Sequence, residues 1–437
     1  MNSSASVSTD RVAELAASLV AEHRLPSLSV AVAHAGRDEV DARSFGRADL
    51  AGVPATPETA YLLASTTKPI VATLAALLHE RGVVDLAEPL ADRLPWLLPP
   101  GRVGHPGNPT LQQALTHTAG FGTHYDFSYG DQTPASLPQT FARYGTLFRP
   151  PGTTYEYANL GYAAAGAFLE AATGLELRAL LRRELFEPLW LSTADFGPVY
   201  DRPGETAVRY SEANLVAYPV IDTTHRAASL GWMSASDLAR FGLAHSTSSA
   251  LLDETTRRLV STPGGESRPR QVCPPPGSDY GLGWHVCRVG DLEVLLHGGD
   301  MCGVGAMVTV VPTLGLSIAV TVNRTDSLTH ARVMRDELLT AALPGWPPAS
   351  GSSAARSASP GGPVERSRDD VRRAGAAHPH RGRRRRHHRR AGRCWTATSR
   401  PGAAVRRTTD RDRVGCRPSA ADSGRDGAEP RAGARVR

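Results

Sequence analysis

Residues 62–78 read LLASTTKPIVATLAALL, and this stretch decides how the rest of the chain is read. It holds Lys68, the only lysine among the 49 Lys and Arg residues of the chain. Beyond it, Ile70, Val71, Leu74, Leu77 and Leu78 recur at helical spacing, and Ala72, Ala75 and Ala76 fill the other faces. The spacing predicts a helix over residues 70–82, apolar nearly all round and therefore buried, with Gly82 as its stop. Ser65 and Lys68 stand three apart at its start, so they share a face. A serine hydroxyl is a poor nucleophile without a base beside it. A lysine can be that base, because burial or a neighbouring cation lowers its pKa. An arginine cannot, since guanidinium keeps its proton. A chain that uses arginine elsewhere thus has a chemical reason to keep one lysine here. The helix start adds backbone N–H groups and a partial positive charge near the serine.

Working outward, Val12, Leu15, Ala16, Leu19 and Val20 mark a first helix, capped near Thr9 or Asp10 and closed by Pro26. SLSVAVAHAG follows, with Leu28, Val30 and Val32 alternating with small residues and a turn at Gly36, a strand pattern. From about 84 to 275 short helices mix with Pro/Gly-rich loops. Then DYGLGWHVCRVG, LEVLLHGG, VGAMVTVVP and LGLSIAVTVNR form four short strand runs joined by tight turns, which favours an antiparallel meander. TDSLTHARVMRDELLTAAL is a last amphipathic helix, stopped by Pro344. The expected fold is therefore mixed α/β of the α+β type. One mostly antiparallel sheet is built from both ends of the chain, flanked by helices, with a largely helical insert at 84–275.

The 437 residues, 41% hydrophobic and 21% charged, suit a globular protein with a sizeable core. The formal charge of +6 is split. Trp346–Arg437 carries 23 arginines against 8 acidic residues, a balance of +15, which leaves −9 on residues 1–345. An acidic body gives no electrostatic reason to bind nucleic acid. Residues 346–437 begin with a Ser/Pro/Gly/Ala linker and continue through RGRRRRHHRR without hydrophobic period. They are expected to be a disordered basic tail without a selected role, with nucleic-acid or anionic-membrane binding by the tail as the alternative, and residues 1–345 the folded domain. The cysteines, Cys273, Cys287, Cys302, Cys394 and Cys416, form no Cys-x-x-Cys pair. The N-terminus lacks a basic start with an apolar run, and no stretch of about 18 apolar residues occurs. The expectation is a cytoplasmic protein with reduced thiols and no membrane partner.

Ser-x-x-Lys alone recurs by chance, so other elements must decide. YANLGY brings Tyr157, a phenol able to relay a proton, and Asn159, able to hold Lys68 or a substrate carbonyl. LLHGGDMCGVG places His297-Gly298-Gly299 at a strand end, where glycines permit close backbone approach. In ALTHTAGF, His117 is expected to bond backbone rather than to catalyse. In this order Ser65-Thr66-Thr67-Lys68, Tyr157-Ala158-Asn159 and His297-Gly298-Gly299 resemble the serine β-lactamase-related superfamily, which includes class C β-lactamases, penicillin-binding DD-peptidases and esterase relatives. HTAG at 117, SASDLARF at 234–241, YGLGW at 280–284 and TVNR at 321–324 share the resemblance, which spans roughly residues 10–343.

The resemblance implies roles. Ser65 would be the acylated nucleophile, with Lys68 and Tyr157 sharing the base and acid work and Asn159 assisting. The backbone N–H groups of Ser65 and Asp300 would form the oxyanion hole, and no metal or cofactor would be needed. The chain departs from typical β-lactamases and DD-peptidases at His297-Gly298-Gly299, where they carry Lys-Thr-Gly. That lysine helps bind the carboxylate of penicillins and peptides, which a neutral histidine does less well. Asp300 and Cys302 are expected to be solvated or packed side chains. The reading is a serine hydrolase acting through an acyl-enzyme on small carboxylic esters, as esterase or acyltransferase. A β-lactamase or D-amino-acid peptidase or amidase is the alternative. A non-catalytic ligand binder is the alternative of another class.

Overall fold

The structure is a computed structural model, and it describes residues 9–98, 104–264 and 279–347. The expected tail at 346–437 thus lies outside the described residues beyond position 347.

The predicted sheet is present. Eight strands lie in the order Val53–Pro54, Asp41–Asp49, Ser27–His34, Leu316–Val322, Val304–Val311, Leu292–Met301, His285–Val289 and Asp279–Tyr280, and neighbours are antiparallel. The two ends of the chain meet at its centre, where Val30 pairs with Val320 and Ala31 with Ala319. Successive side chains alternate between faces. Leu28, Val30, Ile318, Val320 and Val322 pack with Ala16 and Leu19 of the first helix (Thr9–Glu22) and Met334 and Leu338 of the last (Leu328–Ala342). Ala31, Ala33, Val308, Val310 and Ala319 face the main core on the other side. Small residues stand there because the helix Ala235–Leu243 lies close: a Cβ on Gly242 would fall 2.1 Å from Ser317 Oγ.

One strand escapes the sequence pattern. DARSFGRAD (Asp41–Asp49) has no apolar alternation and is mostly half-exposed. Its ladder to Ser27–His34 and its place near the sheet edge impose the strand, since β-preference depends on context. The insert is helical as expected, its longest helix being Asn159–Thr173. Two small sheets accompany it: Gly231–Met233 and Asp195–Phe196 with Tyr61–Leu62 from outside the insert, and Ser128–Tyr129 with Ile221–Asp222 within it.

The opening stretch folds as a 3-10 turn, Ala64–Thr66, that runs into the helix Thr67–Glu80. The helix therefore starts three residues earlier than its apolar period suggests. Gly82 ends it at φ +69°, a left-handed conformation glycine adopts at no steric cost. Every residue from Thr67 to Leu78 is buried.

Candidate active site

Between Tyr61 and Leu78, Ser65 alone is not fully buried. The turn that presents it begins at Ala64, whose φ is +49°, an uncommon and costly conformation for a residue with a Cβ. Leu63 N–H, donating to Gly231 O at 2.8 Å, and Thr66 N–H, donating to Leu63 O at 3.1 Å, hold the turn. Lys68 lies one helical turn on, 0% exposed, with Nζ 3.0 Å from Ser65 Oγ. Its second partner is the backbone oxygen of Ala228 at 3.1 Å. Burial pushes the Lys68 pKa well below its ordinary value, and no carboxylate among the described residues pairs with it to restore the charge. The amine is thus biased toward the neutral form, which can accept a proton.

Tyr157 flanks the pair. Lys68 Nζ sits 4.6 Å from its ring centroid, and its hydroxyl hydrogen-bonds to Ser65. Burial raises its pKa well above the ordinary phenol value, so it rests as a phenol with a proton to give. Asn159 opens the long helix of the insert, 1% exposed. Its Nδ2 donates to His124 O at 3.3 Å. Of the two expected roles of Asn159, holding Lys68 or a substrate carbonyl, the first falls to Ala228 O, while Asn159 ties the 121–129 loop to the helix start. His117 takes φ +59°, and its Nδ1 accepts from Ala158 N–H at 3.1 Å. Its ring centroid lies 4.3 Å from that of Tyr157, so it braces the Tyr157–Asn159 segment by bonding a backbone N–H 41 residues away in the sequence.

Gly299 meets the Ser65 turn directly. A Cβ there would lie 2.0 Å from Leu63 O and 3.0 Å from Thr66 N, contacts no side chain tolerates. This approach sets the next residue, Asp300, alongside the Ser65 turn. The Asp300 carboxyl is pushed up to about 6 by partial burial and by Asp326, with Arg332 opposing. Gly298, in contrast, faces Met307 and Leu328. His297 departs from its expected place as a substrate-binding side chain. It is 2% exposed, its Nδ1 lies 2.9 Å from Gly298 O and its Nε2 3.0 Å from Tyr280 Oη. The carbonyl can only accept, so Nδ1 carries the proton and Nε2 accepts from the tyrosine. Burial, with His285 and Lys68 nearby, lowers its pKa well below the ordinary value. His297 is therefore a neutral strut under the Gly298-Gly299 strand. Cys302 is packed: its Sγ accepts from Tyr129 Oη at 3.3 Å.

Gly299→Ala is expected to cut kcat by about 100-fold, because it must displace the backbone beside Ser65 by an ångström or more. Gly298→Ala meets only the mobile end of Met307 at 3.0 Å and the Leu328 side chain, and is expected to cost far less. Steady-state kinetics of the two variants side by side checks this.

Ala228 O, Tyr280 and the braces around His117 carried no role in the sequence reading. A backbone carbonyl has no sequence signature, although YGLGW did draw notice to Tyr280.

The fold, together with this Ser/Lys/Tyr arrangement beside a glycine strand, defines a β-lactamase-type protein. The chain belongs to the Beta-lactamase family, whose model matches residues 12–343. Among curated proteins it is 26% identical over 331 residues to "Unguisins hydrolase ungD'" of Aspergillus campestris, covering 70% of this chain and 60% of that protein. It is 31% identical over 193 residues to "Esterase EstB" of Burkholderia gladioli, covering 39% of this chain and 46% of that one. The structure of SurE with D-Leu superposes with a TM-score of 0.62 at 27% identity, over 76% of this chain and 75% of that chain. The chain spans 58–60% of the length of the first three curated relatives it matches. No helix among the described residues is long and apolar enough to cross a membrane.

Proposed function

We propose that the protein is a serine hydrolase that cleaves small carboxylic esters through an acyl-enzyme on Ser65. The observation that carries the reading is the buried Lys68 amine, 3.0 Å from Ser65 Oγ and without an acidic partner among the described residues. In the neutral form Lys68 takes the Ser65 proton as Oγ attacks the ester carbonyl. The oxyanion collects on the N–H groups of Ser65 and Asp300. Tyr157, poised between Lys68 and Ser65, hands the proton to the leaving alkoxide. Water then enters, gives its proton back along the same path and releases the acid, or an alcohol acceptor takes the acyl group. The neutral, buried His297 offers no cation for a substrate carboxylate, which supports esters over penicillins or peptides with a free C-terminus. The likeness to an esterase supports the same choice.

A second reading is an amidase or peptidase for D-amino-acid substrates, supported by the likeness to a "D-aminopeptidase" of Cereibacter sphaeroides. kcat/KM measured for p-nitrophenyl butyrate, D-leucine p-nitroanilide and nitrocefin separates the two. The ester is expected to lead both others by about 100-fold or more. A lead for the anilide would replace the esterase reading with the amidase one, and a lead for nitrocefin would make the protein a β-lactamase.

A further inference from the structure

We propose that Asp126 is a positioning residue for the Lys68 base: it clamps the turn 223–228, whose last carbonyl, Ala228 O, orients the lysine amine. A neutral amine has two N–H groups and one lone pair. The Ala228 oxygen can only accept, so it commits one N–H and leaves the lone pair free to face the Ser65 hydroxyl. The placing of Ala228 therefore decides where the lone pair points.

Ala228 ends the short 3-10 turn Arg226–Ala228, and its N–H donates to His225 O at 2.9 Å. The residues before that turn are bolted to a different loop. Thr223 Oγ1 donates to Asp126 Oδ1 at 2.9 Å, and Thr224 Oγ1 reaches both Asp126 oxygens at 2.8 Å. His225 is wholly buried, with Nδ1 3.1 Å from Ser229 Oγ and Nε2 3.6 Å from Asp126 Oδ1. Just beyond Asp126, Ser128 pairs with Asp222 and Tyr129 with Ile221. The Asp126 loop also grips the other side of the site: Thr123 Oγ1 donates to Tyr157 O at 2.7 Å, and His124 O accepts from Asn159. One loop thus braces the base through Ala228 and the phenol through its own backbone.

The surroundings leave burial as the main control on the base. Lys68 is faced by the phenols of Tyr157 and Tyr162 and, less closely, by His117, His225, His285 and His297. Burial holds each of these histidines below its ordinary value, so none of them charges at neutral pH. Asp126 is faced by His225 and, at 4.0 Å, by His124. If the clamp is lost, the 223–228 turn loosens, water reaches the amine, and the burial that keeps it neutral is relieved.

Lys68 is the chain's only lysine, so it can be titrated by itself. Protein grown on 13Cε-lysine, with any tag free of lysine, gives one lysine signal whose shift against pH reports the Lys68 midpoint. Asp126→Ala is expected to move that midpoint up by about one pH unit or more. It should also lower kcat on an ester by about 10- to 100-fold with KM little changed. Asp126→Asn keeps an acceptor for the threonines and is expected to stay near wild type. Arg226→Ala removes only the pair to Asp222 on the same turn and is expected to leave the midpoint in place. Should Asp126→Ala fail to fold, Thr223→Val with Thr224→Val removes the same donors without changing side-chain shape and is expected to raise the midpoint likewise.

An unmoved midpoint in these variants overturns the positioning role, as does an equal rise in Arg226→Ala. The proposal rests on Lys68 being the base of the proposed reaction, yet the titration needs no substrate. Failure of the clamp thus shows in the lysine signal, and failure of the esterase reading shows in the substrate panel.

Discussion

Ser65→Ala is expected to lower kcat/KM for p-nitrophenyl butyrate by about 1,000-fold or more, with the fold and thermal midpoint kept. Ser65 is the one residue between Tyr61 and Leu78 that reaches solvent, and removing its Oγ empties no core space. The variant deletes the atom that would form the proposed acyl bond while the Lys68 helix stays packed. Mass spectrometry adds a second readout. Wild type treated with a slowly released acyl donor gains the acyl mass on the peptide holding Ser65, and the variant does not. A variant that hydrolyses the ester at the wild-type rate would place the chemistry elsewhere.

Lys68→Arg is expected to lose activity on the same scale and, unlike Ser65→Ala, to lose stability as well. A lysine at 0% exposure can shed its proton and become a neutral amine. An arginine there must stay charged, without a carboxylate partner, in a space shaped for a shorter side chain. Wild type should also carry a pH signature. The base works when neutral, so kcat/KM rises with pH through the Lys68 midpoint, which lies well below the ordinary 10.5. Stability follows the same group. Below the folded midpoint the protonated amine bears its full desolvation cost. Between that midpoint and 10.5 the folded chain has released a proton that the unfolded chain still holds, so stability rises with pH across this window. In Lys68→Arg the rate limb and this slope are both expected to vanish. pH–rate profiles and thermal melts of the two proteins check it, and an active arginine variant would remove lysine from the role of base.

The apolar period after Lys68 and the alternation of Leu28, Val30 and Val32 already contained the buried helix and the central strand. The helix is apolar nearly all round because it is buried on every face, and the strand alternates large with small residues because its two buried faces meet different neighbours. Ser65 and Lys68 were legible as a pair because helix geometry alone brings positions three apart together. His297 was legible as a position but not as a role. Its motif reads as the end of a strand, but the strand Leu292–Met301 runs four residues past it, and its burial and its bond to Tyr280 depend on a strand 17 residues earlier. The strand Asp41–Asp49 was hidden because its polar residues owe their conformation to the neighbouring ladder and not to their own pattern.

By itself the sequence determined which elements form around the lone lysine and which side chains are proposed as nucleophile, base and phenol, because those depend on local period and residue chemistry. Tertiary structure alone decided that a carbonyl 160 residues away orients the lysine and that Gly299 must lie against Leu63. It also decided that His297 turns inward as a neutral strut. Those facts depend on how distant backbone segments meet, and backbone groups are the same at every residue, so no letter in the sequence announces them.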